Sequence, residues 1–265
     1  GSSTIAILPF AVANAGSQAG PNTLLGVLDD GPYPLNLNTL DYHATVTFAD
    51  PQPDDNCLVR PDATLPEGAV AVNAVVTELW DWIAAEKGST LRLRSGVILC
   101  MGGAARRATL GAGEHPLTFD FAGNTGYLTL SSDSDMTGKE LVIRAALANF
   151  GNHPLVLSGL HGNVLELDPP LNSAPKLVIQ SLPLDPSRPP FQVRFSRDGH
   201  LGLPGAPVVI DDGVLACAAD REIVVNRPLQ LGKNAQLAAL DPKGRLRWTG
   251  KIQGERLTVH GPGTV

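Results

Sequence analysis

Short apolar segments separated by turn residues dominate the C-terminal part of the chain, from Gly205 to Val265. Gly, Asn, Asp and Pro lie between the segments, and none is long enough for a helix of ordinary length. The pattern therefore favours β-strands. Their recurrence every roughly 7 to 10 residues indicates strand after strand with tight corners, as in a β-sandwich, a β-barrel or a stacked β-solenoid.

Similar segments extend back towards the N-terminus. Within several of them arginine alternates with apolar residues, as in LRLR at 91–94 and RLRW at 245–248, which predicts one buried and one solvent-facing side. Earlier strand candidates are 108–110, 117–121, 127–130, 141–146, 154–158, 164–167, 176–180 and 191–195.

The C-terminal strands also carry a fixed order of small and apolar residues. This order consists of Gly213, Leu215, Ile223, Asn226, Pro228, Leu229, Leu231, Leu237, Leu246, Gly250, Ile252, Gly254, Leu257, Gly261, Gly263 and Val265. It resembles the autotransporter-associated β-strand repeat, found in passenger regions of large secreted bacterial surface proteins. Degenerate motifs of the same kind extend the resemblance to about Val70, and the step Ile7 to Phe10 resembles a lead-in seen in such proteins.

The resemblance implies an all-β, elongated, right-handed parallel β-helix (β-solenoid). We expect residues 1–56, rich in Pro and Gly, to form an irregular cap-like lead-in, and residues 57–265 to form the rungs, with the repeat itself at 205–265. We also expect the chain to be a segment of a longer protein. Residues Thr77 to Ala85 stay open: apolar spacing through Val75, Val76, Leu79 and Ile83 favours a helix, whereas the resemblance favours strands.

Composition narrows the classes of partner. The net charge is −6 and only 17% of residues are charged, which argues against nucleic acid and anionic membranes. No apolar run reaches the length of a membrane-spanning helix. Cys57, Cys100 and Cys217 have no metal-ligand spacing, so we expect three small buried hydrophobic residues, with a Cys57–Cys100 disulfide as the open alternative.

Candidate site residues are few. Trp80 and Trp82 would share one face of a strand and could stack on sugars, although core packing competes with that interpretation. Asp133 and Asp135 are a weak candidate for calcium, because the distal glutamate of an EF-hand loop is absent. The carboxylate pairs at 54–55 and 211–212, and the six histidines, fit solvated turns.

No catalytic residues and no cofactor are predicted, since no nucleophile elbow, phosphate loop or carboxylate constellation is present. We therefore expect a non-catalytic segment of a secreted or outer-membrane-associated cell-surface protein, acting as a β-helical stalk or passenger for display and adhesion. Host or matrix glycans, or other copies of the chain, are the expected partners. The alternatives are a polysaccharide-active β-helix lyase or hydrolase, for which Asp211 and Asp212 are the candidate acidic groups, and a carbohydrate-binding module.

Overall fold

The structure, a computed structural model, describes residues 7–13, 23–28, 36–39, 43–47, 51–79, 81–101, 105–131, 138–182 and 187–265. Within these ranges the only helix is one 3-10 turn, Asp198–Leu201. The strands are β1 (Ile7–Ala13), β2 (Thr23–Leu28), β3 (Asn36–Thr39), β4 (His43–Thr47), β5 (Asn56–Thr64), β6 (Gly68–Glu78), β7 (Ser89–Met101), β8 (Arg107–Leu110), β9 (Leu117–Asp120), β10 (Gly126–Leu130), β11 (Glu140–Ile143), β12 (Ala146–Ala148), β13 (Leu155–Leu160), β14 (Val164–Leu167), β15 (Leu177–Leu182), β16 (Gln192–Phe195), β17 (Val208–Cys217), β18 (Glu222–Val225), β19 (Leu229–Ala239), β20 (Arg245–Trp248), β21 (Ile252–Gln253) and β22 (Thr258–His260).

Parallel pairing joins most of these strands. A 17-stranded sheet contains β4 to β17 together with β19, β21 and β22, and β18 pairs with β20 in a separate two-stranded sheet. In most of these pairs the partner strand lies about 20 to 30 residues further along the chain, the repeat length of a stacked coil. The predicted all-β class is confirmed, and the curled parallel sheet is consistent with a β-solenoid or β-helix.

Three faces follow one another along the chain in each turn. Strands β9 and β12 lie on the first face, and β10, β13 and β15 lie on the second. Strands β8, β11, β14 and β16 lie on the third face. The long strands β17 and β19 run from the second face into the third, because their two halves pair with different neighbours.

Apolar side chains stack inside the coil from rung to rung. On the second face Leu128, Leu157, Ile179 and Ile210 occupy matching register positions, and all four are fully buried. Such columns explain the aliphatic strand pattern, since a single rung leaves its inner side exposed until a neighbour covers it. The alternate side chains point outward, and Arg92, which is exposed, is an example.

The corners rely on glycine where the chain bends sharply. Strand β7 crosses a corner at Gly96, whose φ is +73°, and a Cβ there would lie 2.0 Å from the carbonyl oxygen of Thr125. Glycine adopts this conformation without strain, and its lack of a side chain leaves room for the neighbouring rung. The Ser95-Gly96 step therefore joins two strand halves rather than ending a strand.

The N-terminal strands form two arrangements. Strands β1, β2 and β3 make an antiparallel sheet, whereas β4 pairs in parallel with β5 and so joins the coil within the predicted lead-in. Outward-facing Ala74, Val76, Val97 and Leu99 are buried in a cluster of their own, against which Leu58, Met101 and Tyr127 pack. This apolar outer surface differs from the outer side of strands that carry exposed arginines, such as β20.

Residues 77–85 contain no helix in their described part. Strand β6 continues to Glu78, and Trp82 makes a single parallel bridge to Leu110 of the third face. The helical spacing of apolar residues was misleading here because stacking on the next rung outweighs weak local propensity.

All three cysteines are buried and unbonded, so the prediction of small buried hydrophobic residues is confirmed and the Cys57–Cys100 disulfide is excluded. Cys57 lies beside Val75 of the next rung, and Cys100 lies beside Thr77 of the rung before it, so the two cysteines are two rungs apart. Burial raises the pKa of both thiols to about 12, and the charge of Asp55 adds to this effect at Cys57. No helix in the described ranges has the length and apolar character needed to cross a membrane.

Candidate functional site

Charged residues meet at the corner that follows the third face. The strand ends Ile143, Leu167 and Phe195 are in register across three consecutive rungs. Arg144 and Asp168 come directly after the first two strand ends, and Arg197 comes two residues after the third. Because strand ends in register bring their following residues to one edge, these side chains meet although they lie far apart in sequence.

Asp168 lies between the two guanidinium groups. The Nε of Arg144 is 3.4 Å from Asp168 Oδ2, and Nη2 of Arg197 is 3.6 Å from Asp168 Oδ1. The two arginine side chains are 52% and 57% exposed and the aspartate is 34% exposed. Ion pairs this open contribute about 0 to 1 kcal/mol to stability, so they orient side chains more than they stabilise the fold.

His200 lies buried beneath this group, with only 2% of its surface exposed. Arg197 Nε donates a 2.8 Å hydrogen bond to His200 Nε2, and Asn172 Nδ2 donates one to the His200 carbonyl oxygen. Burial lowers the pKa of His200, the charge of Arg197 lowers it further, and Asp168 opposes both. The prediction of a solvated turn histidine is wrong at this position, because the 3-10 turn directs the ring inward.

An open cleft runs past these residues. One part has a volume of about 400 Å³ and the adjoining part about 290 Å³, and Pro170 and Arg197 line both. Corners from four consecutive rungs contribute, so the cleft follows the stacking direction of the coil. Leu171 and Leu203 line the second part, and their side chains are 52% and 43% exposed. The charged or titratable lining residues are Glu114, His115, Arg144, Asp168, Arg197 and His200.

A buried arginine holds one wall of the cleft. Arg227 Nε and Nη2 donate hydrogen bonds of 2.7 and 2.9 Å to the two carboxylate oxygens of Asp198. Further donors of Arg227 reach the carbonyl oxygens of Gly202 and Leu203, at 3.1 and 2.6 Å. Arg227 is 1% exposed, so its hydrogen bonds to Asp198 are shielded from water. They fix the segment that carries His200.

A second charged group lies on the outer side of the third face. Arg107 is 3.9 Å from Glu140 and 3.7 Å from Glu166, and Arg194 is 3.6 Å from Glu140. The two glutamates lie on the adjacent strands β11 and β14, and the two arginines lie on the flanking strands β8 and β16. The arrangement places opposite charges near one another between strands.

The candidates predicted from sequence are dispersed. Trp82 is 1% exposed and packs edge-to-face on Phe119 with ring centroids 5.9 Å apart, so it offers no face to a sugar. Trp80 lies outside the described residues, as do Asp133 and Asp135. In the described part of the chain, no three His, Cys, Asp or Glu side chains come together as metal ligands.

The carboxylate pairs occupy two separate corners. Asp211 is exposed and Asp212 half-buried at the bend of β17, where Asn234 Nδ2 lies 3.3 Å from Asp212 Oδ2. Asp54 pairs with Arg94, and Asp55 is buried and accepts a hydrogen bond from the Gln52 backbone. Neither pair belongs to the cleft described above.

The cleft residues escaped the sequence analysis because rung length varies. A usable signal exists, since Arg144 and Asp168 each directly follow a strand of the third face. Recognising that signal requires the register of the rungs, which motif spacing alone does not provide.

No model of a known protein family, no curated protein and no solved structure matches the chain. The resemblance to the autotransporter-associated repeat therefore stays a prediction.

Proposed function

We propose that the chain is a non-catalytic segment of a large secreted or cell-surface bacterial protein. It forms a right-handed parallel β-helix that acts as a stalk or passenger for surface display and adhesion. The observation that carries this proposal is the coil itself. Rung after rung repeats the same buried columns, while outward side chains and corners vary without disturbing them.

A coil of this kind suits adhesion because it separates two tasks. The buried columns set length and stiffness, and the corners offer a long side surface on which neighbouring rungs combine their side chains. The cleft at Arg144, Asp168 and Arg197 supports this division, since it collects residues from consecutive rungs. Glycans or matrix polymers are the proposed partners.

Surface display tests the proposal directly. The chain would be fused to an outer-membrane anchor on a non-adherent bacterial host, and adherence to glycan-coated wells would be measured against cells that display the anchor alone. We expect raised adherence with no change in the soluble sugar released from the wells. Adherence equal to the anchor-only cells, or steady release of sugar fragments, would contradict the proposed role.

A polysaccharide-active enzyme is the second candidate. The observation in its favour is that one open cleft is lined by two carboxylates, two guanidinium groups and two histidines, a set that could serve acid–base chemistry on a sugar chain. The test is incubation with a panel of polysaccharides, followed by measurement of new reducing ends and of ultraviolet absorbance from unsaturated products. Loss of product in Asp168→Asn, with Asp220→Asn as an exposed control, would favour this candidate.

A further inference from the structure

Arg197 is held in one orientation on two of its sides. Its Nε donates to the buried His200, and its Nη2 faces Asp168 at 3.6 Å. The side chain is still 57% exposed, and it lines the cleft. Fixing an arginine before a ligand arrives removes part of the ordering cost of binding.

Arg144 is the less constrained of the two arginines, because Asp168 is its one side-chain partner among the described residues. It approaches Asp168 through Nε at 3.4 Å, which leaves the two terminal nitrogens on the far edge of the guanidinium. No hydrogen bond to those terminal nitrogens is found among the described residues, and half of the side chain is exposed. A guanidinium edge with two parallel N–H donors matches a carboxylate.

The direction of the cleft argues against a peptide as ligand. Strands of the third face pair with strands above and below them, so their backbone N–H and C=O groups are already used. A peptide therefore finds no strand edge to extend along this cleft, and recognition must come from side chains. A polymer with regularly placed polar groups fits such a surface.

The side chains in the cleft argue against an uncharged sugar chain. Among its described lining residues there is no phenylalanine, tyrosine or tryptophan, so the stacking that usually holds neutral sugars has no partner. The groups that remain to contact a ligand are proline and leucine side chains and the two arginine guanidinium groups. Asp168 and Glu114 balance the two arginines in formal charge, so placement of the ligand's carboxylates, rather than an overall positive field, decides binding.

We propose that this cleft binds a linear polysaccharide bearing carboxylate groups. Arg144 donates two hydrogen bonds to one carboxylate, and Arg197 is the second contact. The inference rests on the adhesion role proposed above and names its ligand class. Asp168 is a positioning residue, because it touches both guanidinium groups from the rung between them.

Isothermal titration of the 265-residue chain with sodium polygalacturonate tests the proposal. We expect the parent chain to bind. The Arg144→Met variant should bind at least about tenfold more weakly, the loss expected when one charge-assisted pair of hydrogen bonds to a carboxylate is removed. Arg247→Met, an exposed strand arginine outside the cleft, is the matched control and should bind like the parent. Melting curves by circular dichroism should show equal stability of the two variants.

Two further ligands sharpen the result. Fully methyl-esterified polygalacturonate should not bind, because it lacks the carboxylate, and poly-L-glutamate should bind far more weakly than polygalacturonate. The proposal is overturned by absent binding to the parent, by equal affinity of the Arg144→Met and Arg247→Met variants, or by equal binding of the ester or of the polypeptide.

The display assay separates failure of this inference from failure of the adhesion role. Adherent cells whose attachment is unchanged by Arg144→Met would place adhesion elsewhere on the coil, which overturns the ligand assignment and leaves the role intact. Titratable binding by the purified chain, without any adherence of displaying cells, would instead contradict the role.

Discussion

The interior columns and the corner after the third face share the same rungs but are built by different rules. Inside the coil, Leu157 lies between Leu128 and Ile179, and any aliphatic residue of similar volume would continue the column. At the corner, Arg227 meets the carboxylate of Asp198 and several carbonyl oxygens with donors in fixed directions. The interior is thus specified by a pattern, and the corner by individual residues.

This difference shows how one coil can carry a specific site. Columns tolerate exchange because burial is non-directional, whereas a hydrogen-bonded corner loses its geometry when one donor is removed. Differences between rungs therefore concentrate where function is proposed.

Removal of the buried corner arginine should have the largest effect on stability. We expect Arg227→Met to lower the free energy of unfolding by about 3 to 5 kcal/mol. The carboxylate of Asp198 and the carbonyl oxygens that accept hydrogen bonds from Arg227 would lose their partner. Urea unfolding measures the change, with Arg247→Met as the exposed control expected near zero. A loss below 1 kcal/mol would mean that water replaces the arginine and that the corner is not specified by it.

Truncation within a column should cost slightly less. Leu157→Ala should lower the free energy of unfolding by about 2 to 5 kcal/mol, because Leu157 is fully buried and its removal leaves a cavity. Val224→Ala, at a position that is 48% exposed, serves as control and should change it by less than about 0.5 kcal/mol. Similar losses in the two variants would contradict the account of the columns.

The corner, unlike the columns, should respond to pH. Because the folded-state pKa of His200 is lowered, the unfolded chain binds more protons once the pH falls below about 6.5, and stability should decrease there. Melting temperatures between about pH 7.5 and 5.5 should therefore fall in the parent and less steeply in His200→Gln. His153→Gln, at an exposed site, should keep the slope of the parent, and equal slopes in all three would refute the assignment.

The smallest effect is expected on the outer surface of the third face. Arg107→Gln removes two ion pairs longer than 3.5 Å from a half-exposed side chain, so it should cost at most about 1 kcal/mol. The loss should shrink further in high salt, and urea unfolding at two salt concentrations would measure it. A loss as large as that of Leu157→Ala would erase the distinction between column and surface.

The columns were largely predictable from sequence, and the corner was not. Residues 164–167 were predicted as a strand and form β14 with the same bounds, because alternation of buried and exposed residues is local. Residues 141–146 were predicted as one strand, yet the chain turns at Arg144 and Ala145 between β11 and β12. Apolar residues flank Arg144 on both sides, as in a strand with one outward-facing arginine, so the pattern carries no sign of the turn.

The candidate site was missed for a related reason. Arg144, Asp168 and Arg197 come together only through the register of three rungs of unequal length. His200 was read as a turn histidine because its neighbour is glycine, and its burial depends on the segment held by the distant Arg227. Such contacts have no local signature.

Distances along one row of outward-facing residues test the stacked coil most directly. Tyr127, Val156, Val178, Val209, Gln230 and Gln253 are consecutive register partners on the outer side of the second face. Spin labels at Tyr127 and Gln230, and at Tyr127 and Gln253, span four and five rung steps, for which we expect backbone separations of about 19 and 24 Å. Pulsed electron resonance that shows this increase would support a stacked coil, and a separation that does not grow with rung number would contradict it.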